Sequence, residues 1–353
     1  MTATAAVTEP VDWALARTVG RKLAGTDAMA RPYIRAGIEH ELRDLTARAE
    51  ALVSEFTGLV APGPAHAAVL SRAQWVDANV ASMQRLLAPV TARVGERLSK
   101  SPFAPVGRRA AGVELGGLLG LMGQRVLGQY DLLLLEETDS ASDAVYYVGA
   151  NIMKLETRHH FMPSDFRLWI AIHECTHRAQ FTGVPWMRSH FLALVERLLG
   201  FVDPDPKRLI SAVARAAEEM RHGRNPVDDG LISILATPEQ KAVLDEVQAL
   251  MSLLEGHGNA VMNRLGRQHV KGQARMARTL DARRKAGGLM GVVNKLLGLE
   301  MKLRQYEVGE RFVDAVAETA GLAALDAAWA APENLPTLAE LEDAPAWLAR
   351  VSG

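Results

Sequence analysis

The sequence predicts a mainly helical protein with a small β-sheet, an α+β fold, and three observations carry that prediction. Apolar residues recur at three- and four-residue spacing through most of the chain, as a buried helix face requires. One short region, Tyr130 to Leu155, instead gathers β-branched and aromatic residues with an acidic stretch between them. The 353 residues are 48% hydrophobic, which allows one large domain or two ordinary ones to build a core without staples.

Taken in order, a small polar leader precedes a short helix over Val11 to Leu23. A longer helix follows over Ala36 to Phe56, with Ile38, Leu42, Leu45, Ala49 and Leu52 on one side. Pro62 and Pro64 break the chain. Residues 65–100 are helical in pattern, with Pro89 as a kink or junction. After Ser101 to Pro105, a Gly- and Leu-rich helix over Arg108 to Gln129 is apolar on nearly every side, the pattern of a helix in the middle of a molecule. Residues 1–130 are therefore expected to form a helical N-terminal layer and 131–353 the core that carries chemistry. In that core, Asp131 to Glu136 and Ala144 to Leu155 read as strands.

The chemistry centres on Phe166 to Phe181. His173 and His177 stand four apart, so on a helix both imidazoles share one face a turn apart and can grip one ion. Glu174 lies between them, which makes the pattern HExxH: two imidazoles for zinc and a carboxylate to take a proton from water. Phe166, Trp169, Ile170 and Phe181 continue the stripe on which the histidines lie. Pro163 and Ser164 read as the helix start, with Ser164 as N-cap and Asp165 in the first turn, and Gly183 and Pro185 as its stop. The competing reading is a core histidine bonded to a carbonyl, with Glu174 a surface charge. Paired histidines around a glutamate on an apolar face favour the metal. The metzincin extension is excluded, because Gln180 and Gly183 hold the places it reserves for glycine and histidine. Cys175 reads as a small buried filler, and His159 and His160 as solvated loop residues. Zinc peptidases of this type hold extended substrates along an edge strand. Tyr147 to Met153 is the candidate for such a strand, with Ala150 and Asn151 as candidate substrate contacts and an ordinary core strand as the alternative.

Candidates for a third ligand are Glu255, His257 and His190. Leu244, Gln248, Met251 and Glu255 share one helical face, and a carboxylate on a buried face needs a cation or a close hydrogen-bond partner. Asn259, one turn further, can orient a ligand. His257 is turned about 200° from Glu255. Gly256 and Gly258 are costly inside a helix and call for the close approach of another one. Further on, a basic stretch over Gln268 to Lys285 has no interleaved aromatics and reads as a solvated surface. Leu296 to Ala330 reads as a long helix or helix pair, in which Tyr306 is packing or a donor to a developing oxyanion. The tail folds back through a short helix around Trp347.

Forty basic and 41 acidic side chains give a net charge of −1, so nothing global draws nucleic acid or an anionic membrane. The expected partner is a peptide or small amide substrate. One cysteine precludes an intrachain disulfide, and neither a secretory start nor a membrane-length apolar run is seen. A soluble, cytoplasmic protein is the expectation.

The HECTH helix, Leu253-Leu-Glu-Gly-His-Gly-Asn-Ala-Val-Met262, Leu297-Gly-Leu-Glu-Met-Lys-Leu-Arg-Gln-Tyr-Glu307 and the closing Pro332-Glu-Asn-Leu-Pro-Thr337 resemble the zincin-like type 2 metallopeptidase family. With Val11-Asp-Trp13 and the layout of the whole chain, they resemble its branch associated with deazaflavin coenzyme biosynthesis. The resemblance implies a zincin-like core, zinc as cofactor, His173 and His177 as ligands, Glu174 as the catalytic glutamate and Glu255 at the downstream Glu-Gly-His element. It implies zinc-dependent hydrolysis of a peptide or amide bond. The alternative is a zinc-stabilised scaffold serving coenzyme metabolism, against which an intact Glu174 argues, since a structural site has no need of a base.

Overall fold

The computed structural model describes residues 9–99, 104–130, 143–200, 237–285 and 300–352. The expected strand at Asp131 to Glu136 and the start of the helix expected from Leu296 lie outside them, as does a further helix that the sequence pattern predicts over Pro206 to His222. The fold is mainly helical with a three-stranded mixed sheet, as expected. Packing divides the chain into two units, Met1–Ala179 with His269–Gly272, and Gln180–Gln268 with Gln273–Gly353.

In the first unit, α1 (Trp13–Ala24) starts at Asp12, whose side chain accepts from the Leu15 N–H at 3.0 Å and so satisfies a donor left over at the helix start. Helix α2 (Pro32–Thr57) begins with proline and ends at Gly58, in the left-handed region at φ 70°. β1 (His66–Leu70) leads into α3 (Arg72–Ser99), which contains Pro89. The helix expected from residue 65 is therefore corrected: its first residues are a strand, and helical structure starts at Arg72. Helix α4 (Ala104–Gly123) is followed by β2 (Gly128–Tyr130), so the helix expected to reach Gln129 stops six residues earlier. The buried face of α4 is made of glycine. A Cβ on Gly112, Gly116 or Gly120 would stand 2.6, 2.3 and 2.7 Å from the carbonyl oxygens of Asp12, Ala16 and Gly20. Glycine at every fourth place thus lets α4 lie backbone to backbone on α1. A flank of the helix is open, with Val106 69% and Val113 47% exposed, so α4 is not the all-round buried helix its composition implied. Trp13, Trp75, Val76, Val80, Leu119 and Val148 fill the core beside this contact.

The sheet runs in the order β1, β3 (Ala144–Val148), β2, with β1 parallel and β2 antiparallel to β3. This corrects the edge-strand reading of Tyr147 to Met153. Tyr147 is on the central strand, fully buried, and shares a hydrogen bond with Thr46 Oγ1 at 2.8 Å. Residues 149–159 form helix α5. The run of β-branched and aromatic residues ends at Val148, and Ile152, Leu155 and Glu156 then bury at helical spacing. Gly149 makes the junction possible, since a Cβ there would meet Met29 Sδ at 2.5 Å. Helix α6 (Pro163–Thr182) closes the unit.

The second unit holds α7 (Met187–Gly200), α8 (Pro238–His269), α9 (Gln273–Lys285) and α10 (Glu300–Ala320). It ends in three short helices, α11 (Asp326–Ala330), α12 (Leu338–Glu342) and α13 (Ala344–Val351). The close approach expected at Gly256 is with Gly309 of α10: a Cβ on Gly256 would stand 2.2 Å from the Gly309 carbonyl carbon. The tail is anchored by Trp347, whose ring meets Phe312 at 5.2 Å and whose Nε1 donates to Asn334 O at 2.8 Å. Among the described residues no helix is long and apolar enough to cross a membrane.

Candidate metal centre

Helix α6 places the site. Phe166, Leu168, Trp169, Ile170, Ala171 and Ile172 are all buried, so the helix is enclosed on several sides before the HExxH turn begins. Burying so central a helix leaves its two arginines to be neutralised inside. The Arg167 fork donates to both oxygens of Glu156 at 2.8 Å and also pairs with Glu41. Arg178, 1% exposed, pairs with Glu50, donates from Nε to Asp143 at 2.9 Å, and reaches the carbonyls of Pro62 and Gly63. Eleven residues are close to three helical turns, so both arginines project from one side of α6. They tie that side to α2, α5 and the start of β3.

From another side project the imidazoles. The His173 and His177 Nε2 atoms are 3.2 Å apart, and their rings meet edge to face at 81°. One carboxylate oxygen of Glu255 joins them, all three donor atoms lying within 4.8 Å of one another. Each of the three side chains is partly buried. Two imidazoles and one carboxylate are the nitrogen and oxygen donors that zinc accepts, so the chemistry of the set fits the ion.

Glu174 is 6% exposed and is not in that group. It lies against Gly128 of β2: a Cβ on this glycine would stand 2.6 Å from Glu174 Oε1 and 2.7 Å from Cδ. Cys175 is a buried free thiol 3.7 Å from Thr46 O, and burial pushes its pKa well up, which keeps it protonated as a filler.

His257 and His190 are not brought to the group. The His257 Nδ1 atom accepts from Gln180 Nε2 at 2.9 Å and its ring meets Trp329 at 5.1 Å. Gln180 Nε2 also reaches Leu254 O at 3.0 Å, so this amide ties the end of α6 to α8 within the second unit. The sequence contains that signal only as a polar residue one turn past His177. His190 packs on Trp186 at 5.7 Å, and burial lowers its pKa. Asn259 is 2% exposed, and its Nδ2 has no hydrogen-bond partner among the described residues. Tyr306 lies in α10 by its backbone, and its side chain is outside the described residues. The expected substrate contacts Ala150 and Asn151 are inside α5. The Asn151 amide donates to Gly123 O and Val126 O at 2.9 and 2.7 Å, and its oxygen accepts from Arg72 Nε at 2.8 Å, so it closes the α4–β2 connection instead of facing a substrate. His159 stacks on Phe161 at 5.5 Å, and His160 caps α5 in the left-handed region.

Known proteins resemble the chain over nearly its whole length. A crystal structure from Chloroflexus aurantiacus, described as a candidate hydrolase with a novel fold, is 32% identical to the chain; the match covers 97% of this chain and 99% of that one, with a TM-score of 0.72. Comparison with curated proteins gives no match. The model of the zincin-like metallopeptidases matches residues 11–348, nearly the full length, and the chain belongs to that family.

Proposed function

We propose that the protein is a zinc-dependent hydrolase that cleaves a peptide or other amide bond. The observation that carries this reading is the 3.2 Å between the two histidine Nε2 atoms. Nitrogens bound to one tetrahedral zinc, each about 2.0–2.1 Å from it, lie about 3.3 Å apart. Helix α6 holds the pair at that spacing, and Glu255 is the third donor. Three protein ligands leave a fourth position for chemistry, which distinguishes a catalytic from a structural zinc.

Zinc, when bound, polarises a carbonyl and lowers the pKa of water. Glu174 accepts the proton as water adds to the carbonyl carbon and the C–O bond forms, then delivers it to the leaving nitrogen, which departs as an amine when the C–N bond breaks. Its burial beside β2 keeps the carboxylate out of bulk solvent.

An extended substrate pairs with β2. The Val148 N–H donates to Leu127 O at 2.9 Å, and Gly128 is opposite Tyr147. In an antiparallel ladder hydrogen-bonded pairs alternate, so Leu127 O accepts from β3 while the N–H and C=O of Gly128, in the next pair, point away from it. Among the described residues β2 is an outer strand of the sheet, so the backbone edge nearest Glu174 offers a donor and an acceptor to an added strand. The narrower placement in the deazaflavin-associated branch belongs to the same proposal; its opening Val11-Asp12-Trp13 caps α1 and buries Trp13.

The test is Glu174→Gln, which keeps shape and hydrogen bonding but cannot take a proton. Against a mixture of internally quenched peptides, the variant is expected to retain zinc and lose roughly 10²-fold or more in rate. Equal cleavage by both forms would remove Glu174 from the mechanism.

A further inference from the structure

Gly128 has no conformational reason to be glycine. Its φ is not positive, unlike those of Gly25, Gly58, Gly63, Gly272 and Gly321, so an alanine would fit its backbone. The reason is steric. A Cβ there would stand 2.6 Å from Oε1, 2.7 Å from Cδ and 2.7 Å from Cγ of Glu174, three consecutive atoms of one side chain, all nearer than real Cβ contacts come. The space that any other residue would fill is occupied by the Glu174 carboxylate.

Neither wall of this contact can easily retreat. On one side, α6 is held by Arg167 to Glu156 and Glu41 and by Arg178 to Glu50 and Asp143. On the other, β2 is paired to β3 and is also gripped through the next side chain. Trp75 Nε1 donates to Gln129 Oε1 at 2.7 Å, and Asn79 exchanges two bonds of 3.2 Å with the same amide. Glu174 itself is 6% exposed, with little open solvent into which to swing.

We propose that Gly128 is a positioning residue: by lacking a side chain, it seats the Glu174 carboxylate against the β2 backbone, beside the edge that offers its N–H and C=O to an added strand. One glycine thereby couples the place of the base to the place of the substrate backbone. Zinc binding does not depend on it, because Glu174 is outside the His173, His177 and Glu255 group. This inference rests on the reading of Glu174 as the base, and its test separates the two.

The experiment compares wild type, Gly128→Ala, Glu174→Ala and Gly128→Ala/Glu174→Ala in zinc content, thermal midpoint and cleavage of the internally quenched peptides. All four are expected to carry close to one zinc per chain. Gly128→Ala is expected to lower the midpoint, and the double variant to melt above it, because truncating Glu174 removes the atoms that the new methyl meets. Gly128→Ala is also expected to lower kcat by about tenfold or more with little change in KM, as misplacing a reacting group does. If Gly128→Ala is insoluble, its rescue in the double variant is the same coupling. Additive midpoints, a double variant no better than Gly128→Ala, or an unchanged kcat would overturn the proposal. If wild type cleaves no peptide, the functional reading fails, and the thermal cycle still decides whether Gly128 seats the carboxylate.

Discussion

Gly309→Ala tests whether helix packing in the second unit sets the place of Glu255. A Cβ on Gly309 would stand 1.9 Å from Ser252 O, 2.7 Å from its carbonyl carbon and 3.2 Å from Gly256 Cα, all of them backbone atoms of α8. Backbone cannot rotate aside as a side chain can. Restoring an ordinary contact of about 3.5 Å separates α8 from α10 by about 1.5 Å along that line. Overpacking of this kind costs about 1–3 kcal/mol, and a clash of backbone with backbone falls at the upper end. Glu255 precedes Gly256, so it moves with the crossing point. A shift of that size far exceeds the roughly 0.2 Å within which ligand distances are held.

The expected result is a folded protein with a lower Tm and a zinc affinity reduced by about tenfold or more, the scale seen when support for a ligand is removed. The assay is competition with a chromophoric chelator beside a thermal melt. Gly117→Ala is the control: it lies inside α4 with nothing within 4 Å of its would-be Cβ, so it is expected to leave zinc binding unchanged and to stabilise by up to about 1 kcal/mol. A Gly309→Ala protein with wild-type Tm and zinc affinity would refute the reasoning.

Zinc content tests the histidine pair directly: wild type is expected to carry close to one zinc per chain and His173→Ala or His177→Ala to lose it, whereas stoichiometric zinc in the doubly substituted chain would sink the assignment. Arg178→Met leaves Glu50 and Asp143, 21% and 14% exposed, without their cation. A loss of about 3–5 kcal/mol in urea unfolding is expected, and a loss under about 1 kcal/mol would show the network to be dispensable. The Arg350 hydrogen bond lowers the Glu340 pKa in the folded state, so the stability it contributes is present above the ordinary carboxylate range and is lost as pH falls through the lowered value. The Tm gap between wild type and Arg350→Met is therefore expected to narrow on acidification below about pH 4; a gap independent of pH would contradict this linkage.

The sequence by itself determined the helix that bears the candidate site and the pair of histidines on it. Both are local: four-residue spacing places two imidazoles on one face whatever the rest of the chain does, and the Pro163 start is written within the same segment. It also marked Glu255, because a carboxylate on an otherwise apolar face is anomalous within its own helix, and it marked Gly256 as a place where another helix comes close. Tertiary structure alone decided which strand is an edge. Tyr147 has the side chains of a strand, but its place at the centre of the sheet depends on pairing with His66–Leu70, over 70 residues away, where five residues with two alanines carry too short a pattern to be told from helix. It decided against His257 through Gln180 and Trp329, partners 77 and 72 positions distant. It also decided what Gly128 is for. A glycine chosen for the side chain it leaves room for has no periodicity and no turn signature, so its meaning exists only where two distant segments come within the width of one methyl group.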